Sequence, residues 1–245
     1  MRVVATIEAR MSASRLPGKV MLPLGGASML ERLIERLRRA RTVDEVVVAT
    51  TVAPPDAVIA GLCERIGCRA HRGPVEDITT RLLNAAQGAD IVVQITGDCP
   101  LIDPAHVDAT VGVLRERGVD YAGNSLDAGT LPLGFDVRCF TMQALRRSAE
   151  LSDDPVDRIH GSYFIHRRPD LFSRAGWRAP TDLTWPELRL TVDEPADYEV
   201  VRRVFEGLHP QKPDFDAEDI VRLLRDKPDW VALNQDVRQK VAAEG

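Results

Sequence analysis

Residues Arg10-Met11-Ser12-Ala13-Ser14-Arg15-Leu16-Pro17-Gly18-Lys19 decide how the rest of the chain is read. The apolar, β-branched run Val3-Val4-Ala5-Thr6-Ile7 precedes them and predicts a buried first strand. After them, Gly25-Gly26 and the capping box Ser28-Met29-Leu30-Glu31 predict the start of a helix. The loop between carries three cations, Arg10, Arg15 and Lys19, spaced by small residues. Small residues admit a ligand close to the backbone, and the N–H groups of a tight loop cradle anions. Solvated charges around a Pro-Gly turn are the plain alternative. The position after strand one, where parallel α/β sheets bind their ligands, favours a triphosphate site. The loop is not a Walker A motif, because Ala13 stands five residues before Gly18 and Val20 follows Lys19. GxGxxG is also missing, so a P-loop ATPase and a dinucleotide dehydrogenase are both disfavoured.

Outward from the loop, strand and helix signals alternate. Residues 46–51 predict a second strand, 57–66 an amphipathic helix ended by Gly67, and Ile91–Thr96 a third strand. That third strand is apolar on both faces and is therefore expected at the centre of the sheet. Pro104 starts a helix to about Arg117, with Gly118 beyond its end. The pattern predicts an α/β fold with a Rossmann-like, doubly wound sheet in a single domain over 1–245. Between 119 and 140 the pieces shorten to 119–122 and 135–139, broken by Asn124, Gly129, Pro132 and Gly134. Helices are expected at 141–150 and 156–167, a late strand at 188–192, and helices again over 195–240.

The chain has 245 residues, enough for a full α/β core. Its 32 basic and 37 acidic residues leave a net charge of −5, which argues against a nucleic-acid or anionic-membrane partner. It has no transmembrane run and no apolar leader at its start, so a cytoplasmic location is expected. Cys63, Cys68, Cys99 and Cys139 form no CxxC and read as buried free thiols.

Three further stretches carry chemistry. In Thr96-Gly97-Asp98-Cys99-Pro100, Gly97 permits a tight turn and Asp98 lies at a strand's carboxyl end, where a carboxylate can hold Mg2+ against phosphates. Asp103, before Pro104, reads as a helix cap. In Thr191-Val192-Asp193-Glu194-Pro195-Ala196-Asp197, Asp193 taken alone reads as a cap before Pro195, and Asp197 suits a first helical turn. After Arg72-Gly73-Pro74-Val75-Glu76-Asp77, Arg81 stands four residues past Asp77, and taken alone the two read as an i,i+4 ion pair. No Ser-His-Asp order and no nucleophilic cysteine context is present, so covalent catalysis is not expected.

Taken together, Arg10, Arg15, Leu16, Pro17, Gly18 and Lys19 resemble the R-x-x-S-x-R-L-P-x-K signature of the cytidylyltransferase-type sugar nucleotidyltransferases. These are the CMP-Kdo and CMP-acylneuraminate synthetase-like enzymes, with the wording nearest to the spore-coat polysaccharide biosynthesis protein F group. The family's Ser falls on Ala13. The stretch from Gly97 resembles G-D-x-P-L-I, and that from Asp193 resembles D-x-P-x-D-[LY]. The resemblance implies a mixed, GT-A-like version of the fold with a small inserted β region at 119–140. That region is expected to serve the acceptor pocket and dimerisation, with a helical extension over 208–245. The resemblance further implies Mg2+ on Asp98 and Asp193, and catalytic roles for Arg10, Arg15, Lys19 and Asp98. Nucleotide contacts are expected at Ile7, Ala9, Arg10, Arg15, Lys19, Thr50, Arg72, Asp77, Arg81, Thr96 and Gly97. His160 falls on the family's R-E-H, with Ile159 in place of Glu. The expected partners are a nucleoside triphosphate, CTP first, and a sugar acceptor, most simply a 2-keto-3-deoxy sugar acid, handled by a homodimer. The alternatives are transfer to a sugar 1-phosphate from GTP or another triphosphate, and a non-catalytic nucleotide-binding homologue.

Overall fold

Three β-branched runs, Val3–Glu8 (β1), Glu45–Thr51 (β4) and Ile91–Thr96 (β6), pair in parallel with β1 in the middle, setting Ile7 beside Val48 and Ile95. This computed structural model describes residues 1–124, 126 and 130–239. Alternate residues leave the sheet on opposite faces. Ala5, Ile7, Val48 and Val93 enter one apolar cluster, with Leu33 of α1 (Met29–Leu37) and Val107 of α4 (Pro104–Arg117). Val4, Val47 and Val92 enter another, with Leu82 of α3 (Ile78–Ala85) and Phe164. Helices on both faces make the layer doubly wound, and buried parallel strands need their near-continuous apolar sequence for this reason.

The full sheet has seven strands in the order β5-β4-β1-β6-β8-β7-β9. β5 is Arg69–Gly73, β7 Tyr121–Gly123, β8 Arg138–Thr141 and β9 Arg174–Gly176. Only β8 runs against its neighbours, so the sheet is mixed as expected, and β6 is its central strand. A separate hairpin pairs β2 (Pro23–Leu24) with β3 (Ala27–Ser28). Gly25 and Gly26 form its two-residue turn at φ 56° and 85°, so the Gly pair serves the hairpin and not the helix start expected from the sequence. Ser28 does cap α1, accepting from Glu31 N at 3.2 Å. Asp103 caps α4 and also accepts from Ala217 N at 2.7 Å, tying in α9 (Ala217–Arg225).

Other boundaries moved. α2 is Ala57–Arg65 and α5 is Met142–Leu151. The helix expected at 156–167 is two, α6 (Pro155–Ile159) and α7 (Tyr163–Arg167), broken at Gly161 with φ 61°. The late strand at 188–192 is no strand. It is an extended segment bridged once, Leu133 to Arg189, and tied to the site by Val192 N donating to Asp98 O at 2.8 Å. Strands β5 and β9 had no separate expectation. Gly129 and the end of the 208–245 extension, residues 240–245, lie outside the described residues. The extension's described part holds α9, α10 (Pro228–Val231) and a 3-10 turn at Ala232–Asn234. With α8 (Pro195–Leu208) it packs Val200, Phe205, Ile220 and Leu224 around Leu190 and Val192. Among the described residues no helix is long and apolar enough to cross a membrane.

Candidate active site

The carboxyl ends of β1 and β6 and the start of α8 meet at one point, where Lys19 is held. Its Nζ donates to Asp98 Oδ2 at 2.8 Å, to Asp193 Oδ1 at 2.9 Å and to Val192 O at 2.7 Å. The first loop reaches this point by folding back on itself: Gly18, at φ 73°, donates to Met11 O at 2.8 Å, and Met11 N donates to Asp56 at 2.6 Å. Gly97 lets the loop after β6 approach β1. Its N donates to Glu8 O at 2.8 Å, and a Cβ there would stand 2.8 Å from that same oxygen.

Asp193 forms ion pairs with three cations. Besides Lys19, its Oδ2 receives Arg15 Nη2 at 2.9 Å and Arg189 Nη2 at 2.6 Å. It does not cap α8. Glu194 is the N-cap residue, and Asp197 supplies the local turn by accepting from Asp193 N and Glu194 N, both at 2.9 Å. The structural role read for Asp197 stands: it is fully buried and also receives Arg189 Nε at 2.8 Å. Burial works to raise the Asp193 pKa, but Lys19, Arg15 and Arg189 outweigh it and hold the carboxyl below its usual value. Burial likewise works against the Lys19 ammonium, and Asp98 and then Asp193 reverse this and push its pKa up.

Three cations and four carboxylates, counting Glu194 and Asp197, are thus gathered at a strand end. Ion pairs drawn partly out of water contribute little net stability, so folding alone does not account for such a cluster. The two carboxylates predicted as metal ligands already converge on one cation, the Lys19 ammonium. That donor set fits a divalent cation of the Mg2+ kind, which takes few protein oxygens and draws the rest from phosphate and water. Among the described residues no group of three or more acidic, His or Cys side chains could hold a metal alone.

The remaining predicted residues divide. Arg10 is exposed, and among the described residues no hydrogen bond or ion pair engages it. Arg15 also donates to Glu194 and to Arg238 O, both at 3.1 Å. Ile7 and Ala9 point into the core, so only their backbone can meet a ligand. Thr50 is fully buried with its hydroxyl unpartnered, and Thr96 shares its hydroxyl with Cys99 at 3.3 Å. Arg72 is spent on Thr51 O and Ala53 O, both at 2.9 Å. The Asp77–Arg81 ion pair does not form. Asp77 caps α3 through Thr80 N at 2.8 Å, while the buried Arg81 holds Pro74 O at 2.7 Å. Helix capping and the β5–α3 turn claim these two side chains instead. His160 is half-buried against Tyr163, its pKa lowered by burial, and His106 is enclosed by Phe135 and Trp177. His71, His166 and His209 stand apart from the Lys19 cluster, and all four cysteines are buried free thiols.

Sequence reasoning missed Arg189, Glu194, Asn234 and Gln239. One signal for Arg189 was available: it is a lone cation inside the apolar run Leu188–Val192, four residues before Asp193 and eight before Asp197. Also unforeseen was the pair formed by Glu8 and Gln94, joined by a side-chain hydrogen bond on the sheet face covered by α3.

Comparison with known proteins gives this geometry its family. A sequence-family model described as cytidylyltransferase matches residues 4–204. The uncharacterised protein MJ1063 of Methanocaldococcus jannaschii is 31% identical over 242 residues, 98% of this chain and 97% of its own. The spore coat polysaccharide biosynthesis protein SpsF of Bacillus subtilis is 29% identical over 233 residues, 93% of this chain and 95% of its own. A 3-deoxy-manno-octulosonate cytidylyltransferase of Anaeromyxobacter is 40% identical over 126 residues, about half of each chain (49% and 50%). A cytidylyltransferase structure from Leptospira borgpetersenii superposes with a TM-score of 0.87 at 28% identity, covering 98% of this chain and all of that one. A CMP:2-keto-3-deoxy-manno-octonic acid synthetase solved with CTP gives 0.65 at 20% identity, covering 84% of this chain and 99% of that one. The chain belongs to the cytidylyltransferase family and is a nucleotidyltransferase.

Proposed function

We propose that this enzyme transfers CMP from CTP to a sugar acid of the 2-keto-3-deoxy type, releasing pyrophosphate and activating the sugar for polysaccharide or glycoconjugate synthesis. The observation that carries the reading is the clasp of Lys19 by Asp98 and Asp193. It gathers a phosphate-binding cation and two acids at a strand end that faces the loop. The polysaccharide biosynthesis in the name of SpsF supports the choice of pathway, and the name of the 3-deoxy-manno-octulosonate cytidylyltransferase supports the choice of acceptor and base.

In the reaction an acceptor oxygen attacks the α-phosphorus, its proton passes to solvent, and the bond from that phosphorus to the pyrophosphate oxygen breaks. Positioning and charge stabilisation are the enzyme's work in such a step. Arg10, free of carboxylate partners among the described residues, would meet the triphosphate first. Arg15 and Lys19 would exchange their carboxylates for phosphate oxygens and take up charge growing on the leaving pyrophosphate. Asp98 and Asp193 would hold Mg2+, which supplies neutralisation of the phosphates when bound. The backbone of Ile7 and Ala9 and the end of β4 near Thr50 would meet ribose and base. Assembly as a homodimer belongs to the same reading.

The experiment is pyrophosphate release with CTP, GTP, ATP and UTP, each against 3-deoxy-manno-octulosonate, N-acetylneuraminate and a set of sugar 1-phosphates. Release with CTP and a sugar acid is expected. Release with GTP or another triphosphate and a sugar 1-phosphate would overturn both substrate choices.

A further inference from the structure

Residues 205–239 lie beyond the family match, yet they reach the reaction centre. Asn234, 3% exposed, donates from Nδ2 to Arg189 O at 3.0 Å and to Asp197 Oδ1 at 2.9 Å. Gln239 Oε1 accepts from Arg189 Nη1 at 2.6 Å. The Arg238 carbonyl accepts from Arg15 Nη1 at 3.1 Å.

Each contact bears on Asp193 from behind. Asp197 fixes the Asp193 backbone by accepting its N–H, and Arg189 fixes the Asp193 carboxylate. Asn234 holds Asp197 and the Arg189 carbonyl, and Gln239 holds the outer edge of the Arg189 guanidinium. A planar guanidinium has its five N–H donors in one rigid frame, so locking Nη1 and Nε fixes where Nη2 points. Nη2 is the group that meets Asp193 Oδ2. Among the described residues no other side chain hydrogen-bonds Nη1.

We propose that Asn234 and Gln239 are positioning residues: through Arg189 and Asp197 they set the orientation in which Asp193 receives the cation-bound triphosphate. The inference rests on the metal role proposed for Asp193 and extends the working site into the C-terminal segment. Groups that touch a metal ligand directly, as Arg189 and Asp197 touch Asp193, commonly change metal affinity by about 10- to 100-fold, and Asn234 and Gln239 stand one step further out.

The test is calorimetric titration of CTP into the full chain with and without Mg2+. The readout is the factor by which Mg2+ tightens CTP binding. Asn234→Ala is expected to reduce that factor by roughly 3- to 10-fold, below the range for direct partners of a ligand, and Gln239→Leu by a smaller amount in the same direction. Gln239→Glu, which keeps the acceptor oxygen, should retain it. CTP affinity without Mg2+ should stay unchanged in all three, which a general loss of structure would not allow. Gln239 is exposed, so its variants decide the matter if Asn234→Ala fails to fold. If Asp193→Asn loses the Mg2+ factor while Asn234→Ala and Gln239→Leu keep it, the strap is overturned and the metal site stands. If Asp193→Asn keeps the factor, the metal site falls and the strap with it.

Discussion

Two groups of charged residues sit along the same carboxyl edge of the sheet, and they are used in opposite ways. Around Lys19, cations meet side-chain carboxylates from distant parts of the chain. Around Arg81, the same residue types mostly meet the backbone of their own neighbourhood: Arg81 holds Pro74 O, Arg72 holds Thr51 O, and Asp77 caps its own helix, with Arg158 at 3.8 Å as its distant partner. The difference teaches which charges a ligand can recruit. A cation paired with a carboxylate can trade it for a phosphate when a second cation takes over the acid. A cation holding half-buried backbone carbonyls leaves them without that partner when it moves, at a cost that reaches about 1–3 kcal/mol only for a carbonyl cut off from water.

The largest effect should come from the acids of the first group. Asp98→Asn and Asp193→Asn keep the shape and remove the charge, and each should lower turnover by roughly 100-fold or more at saturating Mg2+. Circular dichroism and steady-state pyrophosphate release check the two halves of that statement. Wild-type turnover in either variant would place the metal elsewhere.

Lys19→Ala comes next. A charge-assisted contact is worth about 1.5–3 kcal/mol, so kcat should drop roughly 10- to 150-fold. The loss should fall on kcat and spare the CTP dissociation constant, because charge grows on pyrophosphate only as it departs. Weaker CTP binding with an unchanged kcat would make the loop a ground-state clamp.

The second group should show the reverse pattern. Asp77→Ala removes a helix cap and should cost about 1 kcal/mol of stability by chemical denaturation, with CTP affinity within about twofold of wild type. A tenfold loss of affinity with unchanged stability would return Asp77 to the nucleotide site and erase the contrast.

The border between the groups is Glu8, whose carboxyl is pushed up by burial, with Gln94, Arg81 and Arg138 opposing. A carboxyl raised in the fold favours folding while protonated. Its contribution is full below the unfolded value of 4.5 and is lost as pH rises through the higher folded value. Glu8→Gln should therefore match wild type in stability near pH 4 and exceed it near pH 8. Equal stabilities across that range would mean Arg81 and Arg138 neutralise Glu8 fully.

Much of this was legible in the sequence, for identifiable reasons. β1, β4 and β6 carry β-branched runs buried on both faces, so their pattern is unmixed. α4 announces itself by Asp103, Pro104 and Gly118. β5, Arg69-Ala70-His71-Arg72-Gly73, is an edge strand with a polar sequence, and its identity depends on pairing with β4. The segment 188–192 has a strand's composition but only one bridge, because its partners are the Asp98 loop and Leu133. For the site, the loop, Asp98 and Asp193 were each visible as local motifs. Their meeting was implied only by the family resemblance, which put Asp98 and Asp193 on one ion; no local pattern told that Lys19, 79 residues from Asp98 and 174 from Asp193, would stand between them. Nor could local pattern show that Arg81 would be spent on Pro74, or that Asn234 and Gln239 would return to Arg189.

The smallest expected effect tests the loop's one departure from its family. Ala13 is half-buried between the exposed Ser12 and Ser14, inside the turn that Gly18 closes onto Met11. Ala13→Ser adds one hydroxyl where the family signature carries one. At an accessible loop position such a contact is worth about 0.5 kcal/mol, roughly a twofold rise in kcat/KM. The gain should appear in the wild-type background and vanish in Lys19→Ala, since a hydroxyl on the phosphate helps only if the phosphate is seated. A tenfold fall would show that the Ala13 methyl packs where a polar group is not tolerated. The loop would then bind phosphate through Arg10, Arg15 and its backbone, with the serine's contribution replaced.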